Sequence, residues 1–88
     1  MKISDKKKDK ISEQIIAFLY TQSPKLFFTV EIAHEMARDE EFIKKLLTGL
    51  KTKNLVVEIK KNPKGKDYTK RSRWKLSDAA YTAYSLHQ

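Results

Sequence analysis

The chain has 88 residues, with 19 lysines and arginines against 11 acidic residues, a net charge of +8 and no cysteine. Disulfides and thiolate metal sites are therefore excluded, no apolar run reaches the roughly 20 residues of a membrane span, and the Lys/Asp-rich start lacks the apolar core of a signal peptide. These features predict one small soluble domain, cytoplasmic or nucleoid-associated, with a basic, frayed segment over residues 1–10 and a folded unit over 11–88. The charge is concentrated: residues 51–75 hold eight lysines and two arginines against Glu58 and Asp67. A surplus packed into one stretch points to a polyanionic partner more than to general solubility.

In chain order, Ile11, Ile15, Phe18, Leu19 and Gln22 recur at helical spacing, with Ile16 widening the stripe, and predict a helix over 11–22. Ser23-Pro24 ends it, because proline disfavours helical geometry in the residue before it. Leu26-Phe27-Phe28 reads as a stub strand. Thr29 is the expected N-cap of a second helix over 30–36, burying Val30, Ile32, Ala33 and Met36, with Glu31 favoured at its positive end. Asp39 is the next N-cap, followed by a third helix over 40–53. Its apolar face is Phe42, Ile43, Leu46, Leu47 and Leu50, and its polar face Glu41, Lys44, Lys45, Thr48, Lys51 and Thr52. Gly49 inside this helix costs about 1 kcal/mol relative to alanine and reads as a tolerated small residue, the alternative being close approach of another backbone. Asn54 suits the left-handed residue that closes a helix.

The period then changes. Residues 55–61 and 68–76 are strand-like, and Asn62-Pro63-Lys64-Gly65-Lys66-Asp67 between them is turn chemistry. A two-stranded hairpin is marginal alone, so it is expected to lean on the helices through Leu55, Val57, Ile59, Trp74 and Leu76. Ser77 caps a short final helix with Ala80, Tyr81, Ala83 and Tyr84. The order is helix, stub strand, helix, turn, helix, hairpin, helix: an α+β domain.

Residues 32–56 resemble the helix–turn–helix of winged-helix transcription regulators. Ile32-Ala33, Met36, Asp39, Leu47, Leu50 and Asn54-Leu55-Val56 fill the family's rhythm of a first helix, tight turn, capped second helix and entry into the wing. Trp74-Lys75-Leu76-Ser77 matches the end of the second wing strand, and the likeness covers about residues 11–80. It implies a winged helix: a three-helix core with a helix–turn–helix, a two-stranded antiparallel wing and a short C-terminal helix. It departs from the pattern at Asn54, where glycine is usual, and at Glu40 and Glu41, where Arg, Ser or Thr is common. A subgroup that recognises left-handed duplexes carries asparagine and tyrosine where Lys44 and Thr48 stand, and is set aside.

The resemblance and the charge together imply a double-stranded DNA-binding protein, a small transcriptional regulator in the default reading. Its third helix would enter the major groove, which admits one helix, presenting Glu40, Glu41, Lys44, Lys45, Thr48 and Lys51. Carboxylates there repel phosphate but can accept from cytosine. The basic wing, Lys60, Lys61, Lys64, Lys66, Tyr68, Lys70, Arg71 and Arg73, would lie on the backbone or minor groove. Edge-strand protection also uses lysines, but seven basic residues exceed that need. The lysines before residue 11 read as a frayed turn rather than an auxiliary phosphate-contacting arm. A homodimer through the C-terminal or first helix is the expected assembly on a two-fold operator.

The rival readings are a protein-interaction winged helix, favoured by Glu40 and Glu41, and RNA or single-stranded DNA binding, which prefers exposed aromatics for stacking. Membrane-surface binding is disfavoured, since no helix pairs a basic face with a large apolar one. Catalysis is not expected. His34 and His87 are the two histidines, no glycine-rich phosphate loop accompanies them, and no ligand spacing calls for a metal or other cofactor.

Overall fold

Four helices and three short strands follow one another in the computed structural model, which describes residues 5–60 and 72–86. They are α1 (Asp5–Thr21), β1 (Phe27–Phe28), α2 (Thr29–Met36), α3 (Glu40–Thr52), β2 (Val56–Ile59), β3 (Arg73–Leu76) and α4 (Asp78–Leu86). This is an α+β winged-helix architecture. The helix stripes converge: Ile11, Ile15 and Leu19 of α1, Ile32 and Ala33 of α2, and Ile43, Leu47 and Leu50 of α3 are all buried. Helix α1 begins at Asp5, six residues ahead of the expected start, so the lysines at 6, 7, 8 and 10 belong to its first turns. Lysine is a good helix former, and the stripe beginning at Ile11 anchors the turns that precede it.

The sheet has three strands rather than two, ordered β1-β3-β2 and antiparallel throughout. The stub strand pairs Phe27 with Trp74 and Phe28 with Arg73, which leaves β3 in the centre. On the other side Val56 faces Leu76 and Glu58 faces Trp74. Because side chains alternate along a strand, Val56, Trp74 and Leu76 share the core face and all three are buried. The expected inward set of Leu55, Val57 and Ile59 is therefore out of step by one residue. Val57 and Ile59 are half-buried on the face shared with Arg73 and Lys75. A one-residue shift exchanges the two faces, and here the close of α3 sets it. Asn54 takes a left-handed φ of 64°, while its amide donates to the Lys51 carbonyl and that of Leu55 to the Leu50 carbonyl. These two bonds fix where β2 starts.

Thr29 does not cap α2. It is the first residue of the helix, and its Oγ1 accepts a 2.8 Å hydrogen bond from the indole Nε1 of Trp74. The cap is made from the other end, by the Glu31 carboxylate accepting from the Phe28 amide at 2.8 Å. Val30, expected inside, is 43% exposed. Asp39 caps α3 as read, accepting from the Phe42 amide at 3.2 Å. Ser77 caps α4, its Oγ accepting from the Ala80 amide at 3.0 Å while donating to the Asn54 carbonyl at 2.7 Å. That double role joins the end of the sheet to the end of α3. Helix α4 then lies on the end of α1, where Tyr20 meets Tyr81 and Tyr84 with ring centroids 5.0 and 4.6 Å apart.

Candidate nucleic-acid interface

The turn that orients α3 is short because α2 closes abruptly. Ala37 adopts a left-handed φ of 54°. Its amide bonds the His34 carbonyl and that of Arg38 the Ala33 carbonyl, a pattern that satisfies the free carbonyls at a helix end. Asp39 then starts α3 at once. With Ile43, Leu47 and Leu50 buried, Glu40, Glu41, Lys44, Lys45, Thr48 and Lys51 are all exposed. Glu41, Lys44, Lys45 and Thr48 surround one shallow depression on this face. Thr48 donates its hydroxyl to the Lys44 carbonyl at 2.8 Å, which leaves its methyl and an oxygen lone pair for an outside partner. Glu40 and Glu41 stand in the first turn of α3, where negative charge suits the helix dipole.

Lys51 is differently placed. Its Nζ is 2.9 Å from Glu58 Oε1 on β2, and Ser72 Oγ donates to the second carboxylate oxygen at 2.5 Å. Glu58 lies on the core side of the sheet margin, opposite Trp74. Burial raises its pKa, but the hydrogen bonds from Ser72 and Lys51 and the charges of Lys51 and Lys60 outweigh that, and the net shift is downward. One carboxylate thus ties α3, β2 and the start of β3 together, at the base of the hairpin.

Of the wing residues singled out in the sequence, Lys60 is exposed and Arg73 is half-buried. The Arg73 guanidinium lies 4.8 Å from the Phe28 ring centre, so β1 supplies it with a packing surface. Lys61, Lys64, Lys66, Tyr68, Lys70 and Arg71 lie outside the described residues. Trp74 is 1% exposed and is a core residue. Among the described residues no group of three or more His, Cys, Asp or Glu could hold a metal ion, and no helix is long and apolar enough to cross a membrane. Sequence reasoning missed Glu58 as the partner of Lys51 and Thr29 as the partner of Trp74. Both pairs span strand and helix, and no local pattern signals them.

No family model and no curated protein sequence matches the chain. Its structure does match solved ones. MepR of S. aureus in a DNA-binding conformation aligns with a TM-score of 0.71 and 17% identity, over 86% of this chain and 53% of that one. ZitR of Lactococcus lactis, a zinc-responsive MarR family member, aligns with a TM-score of 0.68 and 16% identity, over 99% of this chain and 52% of that one. A MepR variant bound to an oligodeoxyribonucleotide aligns with a TM-score of 0.62 and 20% identity, over 93% of this chain and 67% of that one. The chain spans about half the length of the first two. What is shared at this identity is the architecture: the chain has the winged-helix fold of these regulators.

Proposed function

We propose that the chain binds double-stranded DNA as a small transcriptional regulator, with α3 in the major groove and the basic segment between β2 and β3 against the phosphate backbone. The observation that carries this reading is the outward face of α3. Glu41, Lys44, Lys45 and Thr48 are exposed together, on a fold shared with one structure in a DNA-binding conformation and one bound to an oligodeoxyribonucleotide. Lysine can donate to guanine, and threonine can meet a thymine methyl or a phosphate. The wing lysines and arginines add sequence-independent attraction.

Selection on random duplexes, followed by titration of preferred and random sequences, tests the reading. Replacing Lys44, Lys45 and Thr48 by alanine is expected to erode discrimination by about 1–3 kcal/mol for each good base contact. Neutralising Lys64, Lys66 and Arg71 is expected to weaken all duplexes alike, lowering the slope of log affinity against log salt by roughly 0.9 for each phosphate no longer neutralised. Absence of duplex binding even at low salt would sink the proposal and favour the protein-interaction reading of Glu40 and Glu41.

The assembly on an operator is proposed to be a homodimer through α4 and the end of α1. There Tyr81 is 43% and Leu86 78% exposed beside the Tyr20–Tyr84 contact. Sedimentation at high protein concentration, giving a monomer both free and on DNA, would remove it.

A further inference from the structure

Helix α3 carries a notch that its own fold does not use. Gly49 is exposed in the helix interior, and a Cβ built there would meet nothing within 4 Å. Glycine at such a position costs about 1 kcal/mol relative to alanine, and no internal close packing offsets that cost here. Lys45 and Lys53 stand four residues to either side, along one edge of the helix. The first turns of α1 pass alongside and bring Lys8 and Asp9 into the same groove. Three cations against one carboxylate leave the groove positive.

Building on the DNA-binding reading, we infer that this groove is a second phosphate site, in which a sugar–phosphate backbone seats over Gly49 and Lys8, Lys45 and Lys53 supply its cations. The layout of α3 gives the direction. Lys51, bound to Glu58 of β2, marks the side of the helix that faces the wing, and Lys45, Gly49 and Lys53 run along the side that faces α1. A helix lying in a groove about 12 Å wide has one phosphate backbone on each flank. The wing meets one, and the notch meets the other. A side chain at position 49 would hold the backbone away, whereas glycine lets it reach the helix surface. A protein helix seated in the same notch would need apolar flanks, and lysines on both sides favour the polyanion. The lysines of the first turns then extend the phosphate contacts instead of fraying.

Two variants test this. Gly49→Gln fills the notch without changing charge, in open space and with a residue that favours helix. Lys8→Ala combined with Lys53→Ala removes two of the cations. Each is titrated against duplex DNA between about 50 and 200 mM salt, the range over which phosphate contacts are read most clearly, with a thermal melt run alongside. The double variant is expected to lower the log–log salt slope by about 1.8, the sum for two phosphate contacts. Gly49→Gln is expected to weaken binding on the order of tenfold, as the removal of phosphate contacts does, at an equal or higher Tm. Unchanged affinity and slope in both variants, with the wild type still binding, would overturn the notch and leave the DNA reading standing. A wild type that binds no duplex would overturn both. Should Gly49→Gln lower the Tm, the double lysine variant decides.

Discussion

Trp74 and Lys45 occupy the same small domain under opposite physical demands. Trp74 is 1% exposed and its indole N–H is taken up by Thr29 at 2.8 Å, so its whole contribution is internal. Lys45 faces solvent on a helix whose inner side is already filled by Ile43, Leu47 and Leu50, so nothing in the fold depends on its charge. The seam between β3 and α2 holds the hairpin against the helices, and the outward face of α3 is left open to a partner. Stability and binding therefore rest on separable residues. Substitutions at the seam are expected to change the unfolding free energy without changing affinity per folded molecule. Those on the α3 face are expected to do the reverse, staying within about 0.5 kcal/mol in stability.

The sharpest way to break this division is Trp74→Ala. Emptying a fully buried aromatic site costs about 3–5 kcal/mol, a large share of the stability of a domain this size. Denaturant unfolding should show that loss, and the fraction still folded should bind duplex as the wild type does. Thr29→Val comes next. It keeps the shape but strands the buried indole N–H, at a cost of about 1–3 kcal/mol, and Thr29→Ser should recover most of it. If Thr29→Val is neutral, the seam is held by area alone and the hydrogen bond contributes nothing net.

The local rules of this fold are legible in the chain, and its long-range bonds are not. Asp39, Asn54 and Ser77 each act through a side chain or φ preference that their residue type announces, so the two ends of α3 and the start of α4 can be read directly. Thr29 announces a cap just as clearly, yet the cap comes from Glu31, because Trp74, 45 positions along the chain, claims the hydroxyl. The outward face of α3 follows from its periodicity alone. That Lys51 is tied to β2, and that Lys8 comes alongside Gly49, depends on how the hairpin and α1 pack, which no window of sequence contains. The inward face of β2 differs from its expected one for a similar reason. In a short strand whose outward side chains are themselves half-buried, apolar content does not choose between the faces, and the closing bonds of α3 do.

Glu58 stands where the two regions meet, and it sharpens their comparison through pH. Burial alone would raise its pKa, but the bonds from Ser72 and Lys51 and the charges of Lys51 and Lys60 bring the folded value below the ordinary 4.5. The unfolded chain then binds the proton more tightly than the folded one, so stability rises with pH across this titration. The contribution of Glu58 is full above the unfolded value and is lost as pH falls through the folded one. Unfolding titrations of the wild type and Glu58→Gln should therefore differ most above pH 4.5 and converge in acid. A constant difference at all pH values would mean that Glu58 acts by packing and not by charge. Freed from Glu58, Lys51 should also strengthen nonspecific duplex binding slightly at low salt, whereas a seam substitution would leave it alone.

The smallest expected effect, and one of opposite sign, lies in the turn between α2 and α3. Ala37 holds φ at 54°, a conformation that costs a residue with a Cβ roughly 1–2 kcal/mol. Its amide and that of Arg38 nevertheless close α2 onto the His34 and Ala33 carbonyls at 3.1 and 3.0 Å. Glycine would adopt the same angles without the steric term, but it would add freedom to the unfolded chain worth about 0.4–1 kcal/mol. Ala37→Gly is thus expected to stabilise the domain by about 0.5–1 kcal/mol net, read as a higher denaturant midpoint at unchanged slope. The same turn sets the angle at which α3 leaves α2, so the variant also asks whether that angle depends on the alanine. The two closing hydrogen bonds are made by backbone groups that glycine retains, and Asp39 still caps α3 at Phe42. The angle should persist, and duplex affinity should stay at the wild-type value while stability rises. A gain in stability accompanied by a loss of affinity would show that the α2–α3 turn belongs to both regions, and that the division between seam and face fails there.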